Sequence, residues 1–197
     1  MSSPPELSGD TGNRILEAAL ARLRANRGAS LTMAEVAAQA CLSRQAVYLH
    51  FRDRTALLLA LARHVDEGRD LSTRSAAIVK APSARAAVAA LVALGASDNP
   101  AFWPVERILD SLRHDDAAVD AAWQDRLAGS LNLCRSIARR FQAEGALAPH
   151  LSLDAAADLL WSLTSLRLWE ELVIGRGWSA ERYRSHVTFL AAGALTH

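Results

Sequence analysis

The sequence contains one lysine, two cysteines, six prolines and ten glycines in 197 residues. Each shortage excludes something. Cys41 and Cys134 have neither a CxxC nor a Cys/His spacing suited to a metal, and two cysteines cannot build a disulfide framework. A reduced, intracellular protein is therefore expected. Few Gly and Pro beside 51% hydrophobic and 22% charged residues rule out a collagen-like, low-complexity or disordered chain. Every apolar stretch is interrupted by Arg, Asp or Glu before it reaches membrane-spanning length. The opening Met1-Ser-Ser-Pro-Pro-Glu also lacks the basic and apolar regions of a secretory signal. A soluble protein of the cytoplasm is the expectation. GxSxG, HExxH, GxGxxG and P-loop patterns are all missing, so the sequence supports no enzyme class and no cofactor.

What is abundant is Ala, 40 residues, and Leu, 30 residues. Two strong helix formers at this density, with few breakers, predict an all-α protein of about nine helices. The net charge of +1 hides an asymmetry. Residues 13–64 carry eight Arg against Glu17, Glu35 and Asp53, whereas residues 81–197 carry eleven Arg against thirteen acids. A basic N-terminal quarter stands on a mildly acidic remainder, a charge asymmetry that directs attention to the N-terminal part.

Residues 1–12, rich in Ser, Pro, Gly and acid, read as a flexible arm. Helical periodicity starts at Asn13 and ends near Gly28. Thr32 and Glu35 form a capping-box pattern for a short helix carrying Val36, Ala37 and Ala40 inward. Ser43 is a good N-cap for the next helix, Arg44 to Phe51, with Val47 and Phe51 facing the core. Asp53 caps a fourth helix with Leu57, Leu58 and Leu61 along it. Further helices are expected from Ser83 to about Ser97 and from Ala101 to Arg113, separated by Asn99-Pro100. Others run from Asp115 to Ala143, from Ser152 to Gly175, and onward from Ser179. The expected division is 1–12, 13–58 and 59–197.

Helix, tight turn, helix, capped restart is the pattern of LTMAEVAAQACLSRQAVYLHFRDRTAL, residues 31–57. A second helix of this kind can enter the major groove of DNA, its N-terminal side chains reaching base edges. Arg44 and Gln45 stand there, and both types can bond a guanine or adenine edge bidentately. Arg52 and Arg54 at the following turn, with Tyr48 and His50, suit phosphates, which position without specifying. The candidate DNA-binding set is Thr32, Ser43, Arg44, Gln45, Ala46, Tyr48, Leu49, His50, Arg52 and Arg54.

In Thr32, Val36, Ala37, Ala40, Ser43, Tyr48, His50-Phe51 and Leu57 the chain resembles the tetracycline-repressor (TetR) family of bacterial transcriptional regulators. It departs at Cys41, where the family usually has a turn Gly, and at Arg54, where Lys is common. Cys41 must then take up the turn conformation at a cost. Residues 159–187 resemble the end of many members more weakly. The resemblance implies a three-helix DNA-binding domain followed by a helical domain that binds a small molecule and dimerises.

Phe102, Trp103, Arg107, Trp123, Asn132 and Cys134 are the candidate effector-binding residues, as aromatic walls with a few polar groups suit a pocket. Arg107 could instead pair with Asp110 or Glu106, and aromatics at helical spacing also suit a core. His114 with Asp110, Asp115 and Asp116 could be pictured around a metal, but Asp115 and Asp116 fit the first turn of a helix better. No metal is expected. Between Ser152 and Gly175 the apolar residues occupy more than one face. Trp161, Leu168, Trp169 and Leu172, with the stripe Tyr183, Val187, Leu190 and Ala194, are the candidate dimer interface. The reading is a homodimeric repressor released from operator DNA by a small molecule. The alternatives are an activator of the same family and an all-helical small-molecule-binding protein without DNA binding.

Overall fold

The computed structural model describes residues 9–68 and 70–196. Within them the chain forms α-helices, one π-helical turn and no strand. None of these helices is long and apolar enough to cross a membrane. They fall into two compact units that are discontinuous in sequence, where the residue pattern suggests a cut after residue 58. The first comprises the residues up to Gly68 together with Ala101–Trp123, and the second the remainder.

In the first unit, α1 (Gly9–Ala25) packs on α2 (Met33–Gln39) and on α4 (Arg54–Gly68), while α2 packs on α3 (Arg44–His50). Its core is Ile15, Ala19, Leu23, Val36, Val47, Leu57, Leu58 and Leu61, each fully buried. Val36, Val47, Leu57, Leu58 and Leu61 are positions the helical spacing assigns to the apolar side. Residues 9–12 of the expected arm belong to α1, and its residues 1–8 lie outside the described residues. Local signals place the helix ends. Thr32 and Glu35 make the full capping box, Ser43 accepts from the Ala46 amide, and the Asp53 carboxylate accepts from the Ala56 amide at 2.7 Å.

The second unit contains α5 (Leu71–Val79), α8 (Leu153–Leu163), α9 (Leu166–Trp169), a π-helical turn (Glu170–Gly175) and α10 (Ala180–Leu195). It also takes residues up to Pro100 of α6 (Ala84–Leu112) and residues from Gln124 of α7 (Ala117–Ala143). α8 packs on α10.

Two expected boundaries are corrected. The predicted stop at Asn99-Pro100 does not occur, because α6 runs through Pro100 and Pro104 to Leu112. Each proline removes one ladder hydrogen bond and crowds the preceding turn, at roughly 3 kcal/mol. Packing outweighs that: Phe102, Trp103, Val105, Ile108 and Leu109 are all 5% exposed or less. Conversely, the single helix expected from Ser152 to Gly175 breaks at Thr164-Ser165. Thr164 Oγ1 donates to the Leu160 carbonyl at 2.8 Å, and Ser165 Oγ accepts from the Leu168 amide at 3.2 Å. Hydroxyls that compete for backbone groups end one helix and begin the next.

Candidate nucleic-acid interface

The interface is built on the α2–turn–α3 corner. Arg22 of α1 bonds the Glu35 carboxylate at 2.5 Å, fixing α2 against α1. That bond above all, then the Thr32 hydroxyl, holds Glu35 below the usual carboxylate range. α2 ends in a Schellman turn, the Leu42 amide donating to the Ala37 carbonyl and the Cys41 amide to the Ala38 carbonyl. Cys41 takes φ +53°, the left-handed conformation expected where relatives of this motif place glycine. The turn is therefore formed without its glycine.

With Val47 fully buried, α3 turns Arg44, Gln45, Tyr48 and Leu49 outward. Beside them lies a concavity of about 450 Å³, bordered among others by Thr32, Arg44, Tyr48 and Arg54. Ser30, Leu31, Met33 and Ala34 complete its rim. Arg54 is half-buried at this rim, and its Nε has no hydrogen-bond partner. The Arg54 guanidinium and the Tyr48 phenol at this notch can receive a phosphate, while Arg44 stands at its α3 edge.

Several sequence candidates are elsewhere or otherwise engaged. The Thr32 and Ser43 hydroxyls are used as helix caps. Arg52 is exposed and bonds its neighbour Asp53 at 3.0 Å. His50 lies beside Phe51, its ring 6.4 Å away, and a Cβ on Gly12 would stand 3.8 Å from its Nδ1. Ala46 is half-buried. Ser30 and Ala34 were not in the sequence reading of the site. They join it through the backbone that precedes and opens α2, and no chemical feature of their side chains announces it.

The effector candidates fall in both units. Phe102, Trp103, Arg107 and Trp123 belong to the first unit, whereas exposed Asn132 and buried Cys134 belong to the second. The Arg107 guanidinium lies 5.6 Å from the Trp103 ring centre and donates to the Arg27 carbonyl, while Asp110 bonds Arg113 at 2.7 Å. Arg27 stands at the same distance over Trp103. Trp123 carries Arg113 at 5.3 Å, and Asn132 accepts from Arg135. Burial pushes the Cys134 thiol up to about 12, against a hydrogen bond with Thr164. Asp116 accepts from the Thr55 hydroxyl at 2.6 Å and caps α7 through the Ala118 and Val119 amides. Among the described residues no group of three or more His, Cys, Asp or Glu could hold a metal.

Of the dimer candidates, Trp169, Tyr183 and Val187 are 1–2% exposed, so they fill the second unit's own core. Trp161, Leu168, Leu172 and Ala194 are half-buried. Leu190 is 52% exposed, and beside it Phe189 is 78% exposed and Leu159 of α8 is 40% exposed.

Residues 15–61 match the family model described as bacterial regulatory proteins, tetR family. No curated protein matches the sequence. A regulator from Saccharomonospora viridis solved in complex with choline is 17% identical, with a TM-score of 0.78 over 95% of this chain and 98% of that one. The regulator FadR from Bacillus subtilis in complex with stearoyl-CoA is 16% identical, with a TM-score of 0.72 over 91% and 97%. A TetR-family regulator from a Rhodococcus species is 21% identical, with a TM-score of 0.69 over 95% and 99%. At these identities the likeness is one of fold.

Proposed function

We propose that this tetR-family regulator is a homodimeric repressor that grips operator DNA through α3 and the notch beside it, and releases it when a small molecule binds. One observation carries the DNA reading. Arg44, Tyr48 and Arg54 border a single concavity beside the exposed face of α3. A backbone phosphate meets the cationic edge of that concavity at Arg54, and Arg44 with Gln45 reaches the base edges beyond it.

Ligand release draws support from relatives of the same fold, described in complex with choline and with stearoyl-CoA. Their difference in chemistry gives no single effector class to this chain. Release requires only that the ligand favour the chain form that fits the operator poorly, since a ligand shifts an equilibrium by its differential affinity. Dimerisation draws support from α8 and α10, whose outward faces carry Leu159, Phe189 and Leu190.

Binding to DNA selected from a random pool, measured across salt concentrations, tests the reading. Arg54→Ala weakens all sequences alike and lowers the salt slope by about one. Arg44→Ala costs roughly 1–3 kcal/mol on the selected site and relaxes its sequence preference. Equal slopes and unchanged preference in both variants would overturn it.

A further inference from the structure

α3 has seven residues, and Val47 is the one fully buried apolar side chain it needs to sit on the core. Leu49 points the other way and is 80% exposed, the most exposed of the large apolar residues in the described chain. It does not stand on a bland surface. Gln45 lies one helical turn before it, and exposed Arg44, Tyr48 and Arg52 surround it in sequence. An apolar group set within a cationic, hydrogen-bonding face is poorly matched to a protein partner's apolar patch. It is well matched to the floor of a major groove, where phosphates flank the base edges and the thymine 5-methyl is the apolar feature.

We infer that Leu49 is a specificity-determining residue that reads a thymine methyl, beside a base pair read by Gln45. The inference rests on the DNA-binding reading and adds to it the base. The geometry also sets where that thymine lies. Cβ atoms four apart on a helix are about 5–6 Å from each other. Base pairs rise about 3.4 Å each. Leu49 therefore reads a thymine one or two base pairs from the position sensitive to Gln45. Gln45 pairs best with adenine, through its N6 and N7 edge.

Replacing thymine by uracil removes the methyl and leaves every hydrogen-bonding edge intact, which makes the test clean. The site is selected from random DNA with the wild-type protein, and its thymines are then replaced by uracil one at a time. One replacement per half-site is expected to weaken binding about four-fold, the worth of one buried methyl-sized group. Leu49→Ala binds the thymine site more weakly and no longer distinguishes thymine from uracil there. Gln45→Ala loses preference one or two base pairs away while keeping the uracil effect. Circular dichroism melting of Leu49→Ala matching the wild type shows that the loss is at the interface. A wild-type protein indifferent to every uracil, or a Leu49→Ala protein that still discriminates, overturns the inference while leaving DNA binding intact. Failure to select any sequence, with no binding at low salt, overturns the DNA reading itself and this inference with it.

Discussion

Gly28 and Pro104 approach so closely that a Cβ on residue 28 would stand 2.4 Å from the Pro104 carbonyl oxygen. The turn after α1 therefore seats directly on the segment that follows Pro100. Gly28 is also left-handed, at φ +73°. Gly28→Ala meets both a backbone collision and conformational strain, and should cost roughly 2–5 kcal/mol in urea denaturation. Gly145 is the control: φ is +66°, but a Cβ there has nothing within 4 Å. Gly145→Ala should cost only about 1 kcal/mol. Equal costs would mean that the Pro104 contact is not formed in solution.

Cys41 is the reverse case, a side chain where the turn prefers none. At φ +53° it carries a strain that glycine would not. Cys41→Gly should raise stability by about 0.5–1 kcal/mol, and Cys41→Val should lower it by more, since β-branching suits this region least. A destabilised glycine variant would place the turn in another conformation.

The two thiols should differ in reactivity. Cys41 is exposed, whereas Cys134 is 1% exposed and its thiol is pushed up to about 12 by burial. Iodoacetamide on the folded protein should modify Cys41 alone, and both residues once denaturant is added. Mass spectrometry of the intact chain reads the count, and two equivalents on the folded protein would contradict this burial.

The Thr55 hydroxyl is the main cause holding Asp116 below its ordinary range, with the Val119 and Ala118 amides acting the same way. A carboxylate depressed in the folded state contributes stability above its unfolded pKa, and that contribution is lost as pH falls through the folded one. Thr55→Val should melt lower than wild type near neutral pH. The gap should narrow below about pH 4, where the carboxylate is protonated in the unfolded chain and then in the folded one. A gap constant from about pH 7 to pH 3 would remove Asp116 from the account.

Phe189 separates a monomer from a dimer. On an isolated chain, a side chain 78% exposed can become Glu at little cost. Across a two-fold interface, Phe189→Glu buries an unpaired charge and should raise the dimer dissociation constant at least ten-fold. Light scattering over a dilution series measures it. No change in assembly would take α10 out of the interface.

The features legible in the sequence are those set within one helical turn. Thr32 with Glu35, Ser43 and Asp53 cap the helices expected of them, because a cap depends on the chemistry of residues three apart. Cys41 adopts the left-handed turn because the helix ends around it require that conformation, whichever residue is present. The basic, exposed face of α3 was readable too, since a short helix with one buried anchor must turn the rest outward. Tertiary structure decided the remainder. Pro100 and Pro104 look like a helix stop, yet burial of Phe102, Trp103 and Ile108 carries α6 through them. Arg27, distant in sequence, lies over the face of Trp103, a contact that no local pattern announces. Tyr183 and Val187 form one apolar stripe on paper, and packing of α10 on α8 turns them inward and leaves Phe189 and Leu190 outside. Periodicity shows that a helix has an apolar side. Which neighbour covers that side is a matter of long-range contacts, and no run of adjacent residues encodes them.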